Sequence, residues 1–583
     1  MLDLKITGGQ VVDGTGAPAR AADIGVKDGK IVALGEVTEE AAKTIDATGL
    51  LVTPGFVDIH THYDGQVSWD ADFAPSSLLG VTTAVMGSCG VGFAPCRESD
   101  RERLIELMEG VEDIPGTALS EGMTWGWQSF PEYLETIDTP HTIDFLAQVP
   151  HDALRVFVMG DRAAAGEPAT EADIAAMREA VKEALAAGAA GFSTGRTDNH
   201  RDAAGKETPA ASSDLAELVG IAEAFKDHKH GVLQAVSDFD MAIGKERFDP
   251  EFDLLIEMTK ASGGHPLSIS TMQRDQDADQ WERIIKRVEQ ANDEGLTVRM
   301  QVAPRAIGVM LGLEATFHPF MGFPSYKTIS QLPLAERVER MRDPAFKAQL
   351  LTEKNDPVSG DGSSIPPLAD MLLAQLDLIA GRLFRLGEEP NYEPDPRESI
   401  LAEAKMGGKS TLEALYDALL EEDGRALLYF PLYNYTPNDL SNVRTMLAHR
   451  FSLPGLSDGG AHVGTICDAS FPVFLLTHWG RDRAEGRFPV EELVKRQTMD
   501  TANFMGLEDR GVIAVGRRAD LNLIDFEGLN LKPPRLVRDL PAGGQRFLQD
   551  AEGIRATIVK GVVIAENGKL TGERPGRLVR QGH

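Results

Sequence analysis

Hydrophobic and polar positions alternate with a period of two at both ends of the chain. Within the first 50 residues, LKITGGQVVDG, ADIGVKDGKIVALG and KTIDATG follow this pattern and break at Gly or Asp-Gly. That is the signature of short strands joined by tight turns. The same texture returns in GVIAVGRRADLNLIDF, IRATIVKGVVIAENGK and LTGERPGRLV. Two strand-rich ends around a different middle predict one discontinuous domain, built from 1–53 and 509–583.

Between these ends, 54–508, apolar runs alternate with amphipathic stretches. The runs fall at 51–59, 81–87, 142–149, 189–194, 231–236, 266–271, 296–302 and 452–457. Helical periodicity appears at 99–110, 170–187, 213–227 and 279–294. Strand and helix in alternation predict a parallel sheet, and eight units predict closure. The expected class is therefore α/β, a (β/α)8 TIM barrel interrupted by an insertion at 303–451. The insertion reads as helical at 334–352, 364–385 and 397–422, with a flexible loop over 356–367. It leaves the barrel after the seventh strand, so it is expected to shape access to the face where barrels carry their sites.

Charge narrows the partners. Lys and Arg number 58 against 90 Asp and Glu, a net charge of −32. Such a surface repels phosphates and anionic lipid, so neither nucleic acid nor a membrane surface is an expected partner. A small-molecule substrate is expected, and a sheet unit beside a barrel is compatible with a homo-oligomer. Three cysteines, Cys89, Cys96 and Cys467, cannot frame a disulfide scaffold in 583 residues. No signal peptide is visible and no 18 apolar residues run together, so a cytoplasmic location is expected.

The strongest chemical signal is PGFVDIHTHYDG, 54–65. His60 and His62 stand two apart at a strand end, so both side chains point to one side and can hold one divalent metal. Cys89, in VMGSCGVGFAP, ends the second apolar run. It is either a thiolate ligand or a small buried apolar residue. Asp458, in GLSDGGAH, follows the eighth run. It can bind metal, take a proton from water and pass it to a leaving amine, or merely shape a turn before Gly-Gly. Arg196, His200 and His462 are candidates for substrate contact, with a solvated loop or a loop cap as the plainer roles.

With these residues in view, the chain resembles the amidohydrolase superfamily, more narrowly the N-acyl-D-amino-acid deacylases (D-aminoacylases). The likeness covers KITGGQVVDGTG, PGFVDIHTH, the Cys89 segment, GFSTG, SDGGAH and GVIAVGRRADLNLID. It implies a metal-dependent (β/α)8 barrel with a small β-sandwich from both termini, with His60, His62, Cys89 and Asp458 as metal ligands and Asp458 as the catalytic general base and acid. Two departures stand out. The family carries further metal-binding histidines at the ends of the fifth and sixth strands, where this chain has GVLQAVSD and HPLSISTMQ. It also carries an Arg after the Asp motif, where this chain has AHVGTICDASFP. One zinc per chain is therefore expected, and the resemblance implies deacylation of an N-acyl-D-amino acid. The alternatives are a cyclic amide, lactone or carbamate as substrate, or a catalytically impaired barrel serving as a scaffold subunit.

Overall fold

The computed structural model describes residues 1–211, 213–239, 245–360, 365 and 367–582. Eight parallel strands form a curled sheet. In chain order they are β1 Phe56–Asp58, β2 Val81–Met86, β3 Asp144–Pro150, β4 Gly191–Arg196, β5 Val232–Ser237, β6 Leu267–Thr271, β7 Val298–Val302 and β8 Ser452–Pro454. Each pairs with its sequence neighbour. The extensions of β1 and β8 meet where Thr61 bridges Gly459 and the His62 N–H donates to the Gly459 carbonyl at 2.8 Å. Every residue of β2, β3, β5 and β6 is buried, as expected of parallel strands covered on both faces.

Helices alternate with the strands. The ones used below are α1 Arg101–Glu112, α2 Glu171–Ala186, α3 Leu215–Ala222, α4 Phe248–Ala261 and α5 Gln280–Asp293. In α5, Trp281, Ile284, Val288 and Ala291 form the buried stripe, spaced to face the sheet. Helix α2 starts at a capping box of Thr170 and Asp173, which satisfies two otherwise orphaned N–H groups.

The apolar run 51–59, expected as one strand, is two. Leu51–Pro54 pairs with Leu2–Val11 and with Leu521–Ile524 in a second sheet, and β1 begins only at Phe56. Gly55 is the hand-over point. A Cβ there would stand 2.2 Å from the Thr82 hydroxyl oxygen, so only glycine lets the chain pass this close to β2.

That second sheet has nine strands, drawn from both ends of the chain and hydrogen-bonded without interruption. Ile6, Val11, Ile24, Val26, Leu521, Leu523 and Ile558 are among the side chains of its buried core. Buried charges tie it to the barrel. Arg510 and Arg518 both reach Asp144 at 2.8 Å, and Arg510 also donates to Thr83 at 2.8 Å. Asp144 opens β3, so this junction lies at the end of the barrel remote from the histidines.

Within 303–451 the expected helical stretches resolve into shorter helices, among them Leu334–Arg342, Pro344–Leu350, Ile400–Gly407 and Thr411–Leu419. They enclose a separate core that includes Phe320, Phe323, Tyr326, Leu415 and Tyr416. The sequence pattern did not reveal a three-stranded antiparallel sheet of Gly308–Leu311, Leu428–Pro431 and Phe384–Arg385. Strands of two to four residues are too short to express a period. Val309 bridges Ile466, so this sheet abuts the loop that follows Asp458. The expected flexible loop at 356–367 lies partly outside the described residues. Among the described residues, no helix is long and apolar enough to cross a membrane.

Candidate active site

The site is assembled where β1, β2, β7 and β8 end. His60 and His62 follow β1 and are buried, with ring centroids 5.5 Å apart. Cys89 follows β2 in a left-handed backbone conformation, φ 58°. Its Sγ lies 3.1 Å from His60 Nε2. Asp458 is also left-handed, φ 49°, and its Oδ1 lies 3.3 Å from His60 Nε2 and 3.8 Å from His62 Nε2. Non-glycine residues held at positive φ cost energy and cluster where geometry serves function. The loop carrying Asp458 runs hard against β1. At Gly460, φ 92°, a Cβ would sit 2.9 Å from the His62 carbonyl oxygen.

Neutral amides orient these groups. The His60 Nδ1–H donates to Gln301 Oε1 at 2.6 Å, which leaves the Nε2 lone pair directed at Cys89 and Asp458. Gln301 in turn donates to Ser268 at 2.9 Å. The Cys89 N–H donates to Gln234 Oε1 at 2.8 Å. The Ser457 hydroxyl donates to Asp58 at 2.5 Å, beside Asp458 in the chain. Gln234 and Ser268 lie on β5 and β6, so these strands support the cluster through hydrogen bonds and supply no histidine to it. His265, at the start of the sixth unit, faces the carbonyls of Gly231 and His228.

A carboxylate that the sequence reading missed completes the group. Glu112, the last residue of α1, is 1% exposed. Its Oε1 lies 3.2 Å from His62 Nδ1 and its Oε2 lies 3.5 Å from His462 Nε2. In sequence it is one acid among several on an amphipathic helix, and no local signal separates it from the solvated ones.

Burial dominates the electrostatics of this position. Burial lowers His60 to about 4, despite its bond to Gln301, and lowers His62 well below the usual imidazole range. Burial raises the Cys89 thiol, helped by Asp458, Glu112 and Asp64. Burial likewise raises Glu112, with Asp458 and Asp64 adding to it. It also raises Asp458, against the pull of His462. Loss of water is the leading cause throughout, and it favours the neutral form of each group. Both ring nitrogens of His62 and both oxygens of Glu112 are buried without a hydrogen bond. Buried polar atoms are normally partnered. The ligand atoms of His60, His62 and Cys89 lie within 4.8 Å of one another. Two imidazoles, a thiol and a carboxylate are a donor set that zinc accepts, so the residues fit a divalent ion.

The other expected residues divide. His462, at φ 49° and 23% exposed, stands at the edge of the cluster against Glu112. His200 belongs to the same neighbourhood: burial lowers it to about 4, with Asp238 opposing and His60 reinforcing the shift. Arg196, expected as a substrate contact, pairs with Glu251 at 2.5 and 3.1 Å and donates to Ser213 at 2.6 and 3.0 Å. These bonds tie a buried carboxylate of α4 to the segment before α3. Cys96 and Cys467 are buried free thiols.

Comparison with known proteins agrees with this architecture. The profile of the amidohydrolase family matches residues 43–565. A D-aminoacylase of Alcaligenes xylosoxydans xylosoxydans is 28% identical over 582 residues, 99% of this chain and 97% of that protein. An N-acyl-D-aspartate deacylase of the same organism is 37% identical over 195 residues, 33% of this chain and 36% of that protein. Among solved structures, a D-aminoacylase superposes with a TM-score of 0.65 at 24% identity, covering 100% of both chains.

Proposed function

Because the chain belongs to the amidohydrolase family and is D-aminoacylase-like over nearly its whole length, we propose that it removes the acyl group from an N-acyl-D-amino acid. As a member it is a metal-dependent hydrolase of carbon–nitrogen bonds other than peptide bonds. The observation that carries the finer reading is the convergence of Cys89 Sγ and Asp458 Oδ1 on His60 Nε2, at 3.1 and 3.3 Å. His60, His62, Cys89 and Asp458 would hold one zinc ion. When bound, zinc supplies a Lewis acid for the amide carbonyl and lowers the pKa of water. The chain's own residues do the rest. Gln301 fixes the His60 tautomer. Asp458, raised by burial towards neutrality, takes the proton of the attacking water and returns it to the amine as the C–N bond breaks. His462 and His200 line the approach. In the same reading, 54–508 is the catalytic barrel with its insertion, and 1–53 with 509–583 is its companion sheet unit.

In one D-aminoacylase structure a binuclear metal centre shows one-metal activation and second-metal attenuation. Here, the glutamine and serines on β5 and β6 favour a single ion. The test is a hydrolysis screen of N-acetyl-D- and N-acetyl-L-amino acids, cyclic amides and lactones with added zinc, alongside metal analysis of the purified protein. Turnover confined to N-acyl-D-amino acids is expected. Turnover confined to cyclic amides or lactones would reject the deacylase assignment, and two tightly bound equivalents would reject the single site.

A further inference from the structure

Glu112 and Asp113 end helix α1 and grip the loop that carries Asp458. Asp113 takes the left-handed C-cap conformation, φ 53°. Its carboxylate accepts from the Gly464 N–H at 3.2 Å, the Thr465 hydroxyl at 2.6 Å and the Thr316 hydroxyl at 3.1 Å. The Glu112 carbonyl accepts from the His462 N–H. The Glu112 side chain is buried between two imidazoles, Oε1 3.2 Å from His62 Nδ1 and Oε2 3.5 Å from His462 Nε2, and neither oxygen makes a hydrogen bond.

We infer that Glu112 is a positioning residue: its carboxylate fixes the tautomer and ring direction of His62 and couples that ring to His462 on the Asp458 loop. An imidazole that gives one N–H to a carboxylate presents the lone pair of its other nitrogen, and gains basicity as a ligand. His62 Nδ1 lies 3.2 Å from Glu112 Oε1, outside hydrogen-bond geometry; an Nδ1–H turned onto that oxygen would leave Nε2, 3.8 Å from Asp458 Oδ1, as the ligand nitrogen. His60 is held through Nδ1 by a hydrogen bond to Gln301. The two rings therefore receive different support, one from an amide and one from a carboxyl group. The second oxygen of Glu112 engages His462, so the loop that brings Asp458 and the ring that holds the metal share one anchor. This inference rests on the assignment of His60, His62 and Cys89 as metal ligands.

The experiment compares the full-length wild type with Glu112→Gln, Glu112→Asp, His462→Ala and His60→Ala. Zinc affinity is measured by chelator competition, zinc stoichiometry by metal analysis, and thermal stability on the metal-free proteins. Glu112→Gln is expected to weaken zinc binding about 10- to 100-fold, the usual effect of losing a group that orients a ligand. The metal-free melting temperature should change little. Glu112→Asp should fall between, and so should His462→Ala, which removes one end of the shared anchor; wild-type affinity in His462→Ala would strike His462 from the coupling. Wild-type zinc affinity in Glu112→Gln overturns the inference. A stoichiometry that falls from two ions to one also overturns it, because Glu112 would then be a ligand. If Glu112→Gln does not fold, Glu112→Asp decides: its carboxylate is one methylene short, and unchanged affinity refutes the role. A His60→Ala protein that binds zinc as the wild type does would overturn the metal assignment itself. Normal affinity in Glu112→Gln beside a loss in His60→Ala would overturn only the role of Glu112.

Discussion

Asp458→Asn separates proton handling from metal binding. The carboxylate has one oxygen within 3.3 Å of His60 Nε2 and 3.8 Å of His62 Nε2. Asn keeps the size and one oxygen for the metal, but its amide does not accept the proton of water near neutral pH. The backbone at φ 49° suits Asn as well as Asp, so the fold and the Gly459-Gly460 turn should survive. General acid–base groups contribute about 10²–10⁴-fold. Asp458 serves both the attack and the departure of the amine, and also stands among the metal-ligand candidates. The upper part of that range, about 10³–10⁴-fold, is therefore expected, or ~4–5.5 kcal/mol at 1.36 kcal/mol per decade. Zinc should remain largely bound, because His60, His62 and Cys89 are untouched. The assay is kcat on the best substrate from the screen, with metal content measured on the same sample. A variant with normal kcat and normal zinc would make Asp458 a turn residue and remove it from the mechanism.

Three further outcomes follow from the same geometry. Gln301→Leu removes the acceptor that fixes the His60 tautomer, so zinc affinity should drop about 10- to 100-fold; an unchanged dissociation constant would show that the 2.6 Å bond has no bearing on the metal. Arg510→Met breaks a buried pair with Asp144 but leaves Arg518 in place, so the loss should lie near the lower end for such pairs, about 3 kcal/mol. Chemical denaturation reads it, and an unshifted midpoint would discount this junction. For Glu393, burial is outweighed by His478, Arg483 and the Leu440 N–H, which hold its carboxyl down at about 2. A depressed carboxyl contributes its stability above the unfolded pKa, about 4.3, and loses it as pH falls through the folded value. The stability advantage of wild type over Glu393→Gln should therefore be full at pH 6, shrink below about 4.5 and vanish near 2; an advantage independent of pH would refute the pairing.

What the sequence disclosed depended on whether a residue's role repeats along the chain. The barrel strands were legible because each is a buried apolar run between turns, and His-X-His was legible because a strand end converts spacing two into a shared direction. Asp458 and Cys89 could be placed at strand ends for the same reason. Glu112 was not legible, since its partners, His62 and His462, are brought to it only by closure of the barrel. Gln301 and Gln234 were hidden in strands where a polar residue in an apolar run carries no label. A strand-end Arg in a Gly-rich loop, Arg196 gives no sign in sequence of its partner Glu251, 55 residues later. The break at Gly55 escaped because two sheets share one apolar run, and hydrophobicity does not record which sheet a residue joins.

The pairing of Leu51–Pro54 with Leu521–Ile524 also has a consequence during synthesis. The partners lie roughly 470 residues apart in the chain. At about 5–20 residues per second, one edge of the early strand waits roughly 25–95 seconds for its neighbour. An unpaired edge is a template for association with other chains. Ribosome-bound or truncated forms ending before 521 should therefore aggregate and depend on chaperones, whereas supplying 509–583 as a separate peptide in trans should rescue their solubility.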